Sequence, residues 1–124
     1  MTNVPDWASV AELFQVTPWM TRAVGSLSGG ELRLTELAFG FALEPTVALL
    51  DEPFRGLEPL HRERVATLLR EYARRGTAIL YADHDVQGVL RTADRLFSIE
   101  AGSTRPVNGF KERPIAEWYH EWPR

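Results

Sequence analysis

Three short stretches of this 124-residue chain carry residues able to do chemistry. The first is Leu27-Ser28-Gly29-Gly30-Glu31. A Ser-Gly-Gly turn that opens a helix presents backbone N–H groups beside a hydroxyl, and the helix dipole favours an anion such as phosphate there. The same pattern fits a flexible loop in which Ser28 is only an N-cap. The second is Val47-Ala48-Leu49-Leu50-Asp51-Glu52-Pro53. An apolar run closed by two carboxylates puts both at the carboxyl end of a strand, where open α/β sheets bind ligands. One carboxylate can hold Mg2+, usually through water, and the next can orient or deprotonate an attacking water. A strand followed by a plain acidic turn is the alternative. The third is Asp83-His84-Asp85, after the next apolar run. Its histidine faces the sheet edge that carries Asp51 and Glu52 and can reach a γ-phosphate, or it is simply a loop residue. His61 and His120 fall on predicted helix surfaces with no chemical neighbours, and neither is assigned a role.

The elements that must position these residues follow from the apolar periodicity. Asp6 to Val16 reads as a helix with Val10, Leu13 and Phe14 on one face, and Thr17-Pro18 ends it. Glu31 to Leu43 reads as a mostly apolar helix stopped at Glu44-Pro45. Val47 to Leu50 and Thr77 to Ala82 are continuous apolar runs, which predicts strands buried on both faces. Between them, Glu58 to Arg75 is amphipathic. Leu60, Val65, Leu68, Leu69 and Tyr72 share its apolar face, and Gly76 is its stop. Asp85 to Ala93 predicts a short helix and Arg95 to Glu100 a third strand. Strand, helix, strand, helix, strand in series predicts an α/β fold with a parallel sheet. Beyond Gly102 a turn with a short strand over 103–108 and a terminal helix over 114–122 are expected. Trp118, Tyr119 and Trp122 either pack that helix on the core or form a contact surface.

Composition narrows the class. With 44% hydrophobic and 25% charged residues the chain is of ordinary globular type and of single-domain size. A net charge of -3 gives no footprint for nucleic acid. Without cysteine there is neither a disulfide framework nor a thiolate metal site. Met1 to Trp7 lacks the pattern of a secretory leader, and the apolar stretch near Leu34 to Leu43 is too short and too polar to span a membrane. The expected location is cytoplasmic, or peripheral on the inner face of the membrane through a partner.

Taken together, the three stretches resemble the ATP-binding-cassette (ABC) ATPase family, most of all its transporter members. Leu27 to Glu31 is similar to the signature loop, with Glu31 in the common place of Gln. Asp51-Glu52-Pro53 is similar to Walker B and Asp83-His84-Asp85 to the H-loop. Phe54-Arg55-Gly56-Leu57-Glu58-Pro59 matches the D-loop loosely, with Glu58 where Asp is usual. Ala93-Asp94-Arg95-Leu96 and Glu100-Ala101-Gly102 are similar to the last core strand and its turn. The resemblance covers about 10–102. It implies a truncated parallel-sheet core of the P-loop NTPase (RecA-like) type with a short N-terminal helical segment. On that reading 1–26 is a remnant of the helical subdomain, 27–102 is half of the ATPase core and 103–124 is a C-terminal tail or helix. The resemblance also implies roles. Leu27, Ser28, Gly29, Gly30 and Glu31 would meet ATP bound to the opposing subunit of a dimer. Asp51 would help hold Mg2+, Glu52 would be the catalytic carboxylate and His84 would sense the γ-phosphate. Gly56, Leu57 and Glu58 would form the D-loop.

The family's phosphate loop, G-x-x-x-x-G-K-[ST], is not found in the sequence, whose one lysine is Lys111. Gln15 is too near the signature loop to serve as a Q-loop. The expectation is therefore an ATP hydrolase by family that binds ATP and Mg2+ weakly alone. The phosphate loop would come from another ABC subunit or copy, with transporter membrane subunits as further partners. In the family the phosphate-loop strand lies between the H-loop strand and the last core strand, so a gap of roughly 10 Å is expected there. Three outcomes follow: the last strand slides in beside Thr77 to Ala82, two copies pair as a homodimer, or a separate polypeptide fills the gap. A non-catalytic regulatory module and an inactive truncated fragment are the alternatives. A split cassette of chromosome-maintenance type would need long heptads before the signature loop, and 1–26 shows none.

Overall fold

A computed structural model describes residues 6–122. The expectation that Met1 to Trp7 carries no secretory leader falls mostly on residues 1–5, outside the described ones. Five helices and four strands follow in the order α1 (Trp7–Leu13), α2 (Gly29–Ala42), β1 (Val47–Asp51), α3 (Pro59–Arg74), β2 (Ala78–Ala82), α4 (Val86–Thr92), β3 (Phe97–Glu100), β4 (Ser103–Pro106) and α5 (Ile115–Glu121). Short 3-10 turns at Thr17–Trp19 and Val24–Ser26 lead from α1 into α2. Among the described residues no helix is long and apolar enough to cross a membrane.

The main core lies where α1, α2 and α3 meet one face of the β1–β2 pair. Phe14, Phe41 and Tyr72 join the three helices, with the Phe41 and Tyr72 rings stacked at 4.3 Å between centroids. Leu34, Val65 and Leu69 fill the space around them, and Ala48, Leu50, Ile79 and Tyr81 close it from the sheet side. α3 presents the apolar face expected, with one exception. Leu60 is 68% exposed, because at the start of the helix it is rotated away from the Val65–Leu69–Tyr72 stripe. Gly76, at φ +102°, ends the element as its sequence suggests. A second cluster of Val86, Phe110 and Trp118 packs α5 against α4, with Trp122 at its margin, whereas Tyr119 is 51% exposed.

The sheet departs from expectation in two ways. β1 and β2 pair in parallel, Leu49 beside Leu80 and Asp51 beside Ala82, but they are buried on one face only. Val47, Leu49 and Leu80 are 58%, 73% and 66% exposed, because no described element packs over that face. A continuous apolar run states what a strand can bury and not what covers it. The third strand does not join the pair. β3 makes an antiparallel hairpin with β4, Ile99 opposite Thr104, and the β2 edge has no partner among the described residues. Sliding of the last strand into the gap is thus not what the fold does. The nearby Gly102 turn supplies a local partner for β3 at a lower loop-closure cost than a crossover from β2.

Candidate functional site

The signature turn is a helix start. Ser28 caps α2, its hydroxyl accepting from the Glu31 N–H at 3.1 Å, while the Ser28 N–H donates to the Glu31 carboxylate at 2.9 Å. This reciprocal box satisfies two of the four first-turn donors and leaves those of Gly29 and Gly30. Arg22 holds the other Glu31 oxygen at 3.3 Å. The Ser28 amide keeps the Glu31 carboxyl below the ordinary carboxylate range. Burial is the main opposing effect, while the Ser28 hydroxyl and the Arg22 charge act with the amide. The N-cap reading of Ser28 is what the structure shows at this turn.

Glu52 and His84 meet at the ends of neighbouring strands, whereas Asp51 is not among the residues lining the cleft between them. Asp51 closes β1 on its exposed face, level with Ala82. Glu52 follows, its N–H donating to the Ala82 carbonyl at 2.8 Å, so it stays tied to β2 after the ladder ends. Its backbone is left-handed at φ +47°, which for a residue with a Cβ stores on the order of 1 kcal/mol. That turn swings the side chain toward the next loop. One Glu52 oxygen lies 3.3 Å from Nε2 of His84, and the other accepts from Arg55 at 2.9 Å. His84 is 72% exposed in its side chain, whereas its flanking aspartates are tied down. Asp83 accepts from the Phe54 N–H at 2.8 Å and from the Asp85 N–H at 2.9 Å. Asp85 caps α4 through the Gly88 N–H and pairs with Arg62.

Together Glu52, Arg55, Gly56, Arg62, His84 and Asp85 line an open cleft of about 460 Å³. The signature turn is not among its lining residues. The structure therefore brings Glu52 and His84 into contact and keeps Ser28 to Glu31 apart from them. Of the D-loop residues, Gly56 reaches the cleft and the Leu57 carbonyl accepts from Arg62 at 2.9 Å. Glu58 stands at the N-cap of α3 without a cap bond from its side chain. Asp would reach there, and the longer Glu does so poorly.

Two residues in this region escape a reading of sequence alone. Arg62 looks like one more charge on an amphipathic helix. His61, given no role above, packs its ring against Gly30. Only the three-dimensional closeness of α2 and α3 reveals either.

The residues fit Mg2+ and a nucleotide only in part. Among the described residues no group of three or more His, Asp or Glu side chains converges as a metal site. Asp51 alone suits Mg2+, which takes one or two carboxylates and completes its shell with water and phosphate. At the start of α2 the amide of the exposed Gly29 suits a phosphate oxygen, whereas Gly30 is buried.

No family model matches the chain. An uncharacterized ABC transporter ATP-binding protein of Rhizobium meliloti is 39% identical over 89 residues, 72% of this chain and 33% of that protein. The lipopolysaccharide export system ATP-binding protein LptB of Acidithiobacillus ferridurans is 39% identical over 77 residues, 62% of this chain and 32% of that protein. The chain thus spans about a third of the curated relatives it matches. Among solved structures, a nucleotide-free ATP-binding cassette from an ABC transporter aligns with TM-score 0.74 and 23% identity, over 91% of this chain and 48% of that one. That likeness shows the fold, about half of a cassette of P-loop NTPase type.

Proposed function

Since this chain belongs to the ABC ATPase family, we propose that it is the signature-and-Walker-B portion of a transporter ATPase site. The phosphate-gripping loop of that site comes from a segment outside these 124 residues. The observation that carries the reading is the contact of Glu52 with His84 across the carboxyl ends of two parallel strands. Glu52 is then the carboxylate that orients water, and His84, exposed between two anchored aspartates, the sensor of the terminal phosphate. Asp51 is the Mg2+ carboxylate. Ser28, Gly29 and Gly30 meet the nucleotide of an opposing subunit, flanked by Leu27 and Glu31, and Gly56 to Glu58 form the D-loop between the two. When bound, Mg·ATP supplies the phosphoryl group and the metal charge that the site is built to act on.

The exposed face of Val47, Leu49 and Leu80 supports an external phosphate-loop segment, because covering each leucine is worth roughly 1.5–3 kcal/mol. In this reading 1–26 is a remnant of the helical subdomain, 27–102 belongs to the ATPase core and 103–124 is a C-terminal tail or helix. Transporter membrane subunits and a second ABC subunit or copy are its partners, and its place is the cytoplasmic side of the membrane.

A second reading has one observation in its favour: both Glu52 oxygens are already engaged, by His84 and Arg55. There the signature turn completes a partner's site while Glu52 stays idle. Mixing the chain with a segment that carries a phosphate loop, and measuring phosphate release, separates the two. The catalytic reading expects Glu52→Gln and Ser28→Arg each to abolish turnover. An effect of Ser28→Arg alone would leave only the regulatory role, and an effect of neither would sink both.

A further inference from the structure

We propose that the first turn of α3 is a coupling element, in which His61 and Arg62 are positioning residues that join the signature turn to the D-loop and the histidine loop. The functional meaning of those loops rests on the reading above; the mechanical link does not.

His61 reaches one way. Its ring fills the space beside Gly30, where an added Cβ would lie 2.3 Å from Nδ1 and 2.9 Å from Cε1. Gly30 is buried, so the missing side chain is what lets the start of α2 close on α3. Nδ1 of His61 is buried too and finds no hydrogen-bond partner among the described residues. Packing on the signature turn, rather than a polar anchor on that nitrogen, holds this edge of the ring.

Arg62 reaches another way, since successive helical side chains diverge by about 100°. Its Nε donates to the Leu57 carbonyl at 2.9 Å and lies 3.3 Å from Asp85. The Asp85 side chain is only 14% exposed and holds the Gly88 N–H at 2.7 Å, so this pair bears on the start of α4 and on His84 beside it. Pro59 at the first helical position stiffens the turn. A shift of Leu57 and Glu58 therefore moves the His61 ring against Gly30 and the Arg62 fork against Asp85 together. Under the proposed function this links a turn that reads one nucleotide to a histidine that reads another.

Amide hydrogen exchange on the 124-residue chain, followed by NMR without nucleotide, tests the link. Arg62→Gln removes the contacts to Leu57 and Asp85. It is expected to speed exchange at Glu31 and Leu32 by about threefold or more, with α3 amides from Val65 to Leu69 still protected. Arg62→Lys, which keeps the charge beside Asp85, should restore much of the difference. In a His61→Ala background the effect of Arg62→Gln on Glu31 and Leu32 should vanish. Changes confined to Leu57 and Asp85 to Val89, or equal with and without His61, would overturn the proposal. Should Arg62→Gln lose protection throughout α3, His61→Ala gives the reciprocal measurement. It must speed exchange of the Gly88 amide by about threefold, and an unchanged Gly88 rejects the link. The Ser28→Arg turnover experiment stands apart. If transmission holds and Ser28→Arg is silent, only the functional reading fails; if turnover responds and transmission is missing, only the coupling fails.

Discussion

The Asp83 carboxylate accepts the Phe54 N–H at 2.8 Å, tying the loop after β2 to the turn after β1. The same carboxylate takes the Asp85 N–H at 2.9 Å, so one side chain fixes the backbone on both sides of His84. Asp83→Ala leaves two partly buried amides without their acceptor. It should cost about 1–3 kcal/mol in urea unfolding, and Asp83→Asn, which keeps one acceptor oxygen, less. A loss no larger for Ala than for Asn would show that this carboxylate does not organise the loop.

Gly88 lies under the Phe54 ring, where a Cβ would meet Cδ2 at 2.7 Å and Cγ at 2.8 Å. Gly88→Ala places a methyl group in filled space and is expected to destabilise by about 1–3 kcal/mol, although Ala favours helix. Pairing it with Phe54→Leu should recover part of the loss. Additive losses in that double-mutant cycle would mean the ring is not where the collision occurs.

Glu58 offers a gain. It occupies the N-cap of α3 with no bond from its side chain to the first turn. Glu58→Asp supplies a side chain of the right length and should raise stability by about 0.5–1 kcal/mol, read as a higher urea midpoint at unchanged slope. A neutral result would point to a helix start already satisfied by other donors and acceptors.

The signature turn should respond to acid. The Glu31 carboxyl is held below its ordinary range, first by the Ser28 amide, so its folded pKa lies beneath the unfolded value. A depressed carboxyl contributes stability that is present above the unfolded pKa and is lost as pH falls through the folded one. Exchange at the Ser28 amide should therefore rise on acidification below the usual carboxylate range, after correction for intrinsic rates. Glu31→Gln should flatten that rise. Ser28→Ala, which removes the cap itself, should cost about 1 kcal/mol. Acid exchange that is identical in wild type and Glu31→Gln would contradict this assignment.

Leu49 and Leu80 face away from the core at 73% and 66% exposure. Leu49→Asn and Leu80→Asn should therefore change the stability of the chain by less than about 1 kcal/mol, an effect unlike that of a core leucine. The same substitutions should abolish phosphate release when the chain is complemented by a phosphate-loop segment. Large losses in the chain alone would mean that something already covers the face.

Much of the local structure was written in the residues. The Ser28 cap and the Gly76 stop have short-range chemistry, and the helices and the first two strands show in their own apolar periodicity. The meeting of Glu52 with His84 was legible for a similar reason, since parallel neighbours bring their carboxyl ends to one edge. What a strand faces is a different matter. Val47 and Leu49 read the same whether covered or open, because their covering layer contributes no signal to their own stretch. The partner of β3 is not legible in its own stretch, because a hairpin closed at Gly102 competes locally with any distant edge. The place of His61 is hidden because its neighbour is 31 positions away in sequence, and only a glycine's missing side chain lets the two meet.

The unpaired edge of β2, beside an apolar face, has a consequence for the life of the chain in a cell. Such a surface recruits whatever strand arrives first, a chaperone or another copy as readily as the proper complement. Until that surface is covered, the chain is a substrate for aggregation and proteolysis, so covering it protects the chain as well as completing its sheet.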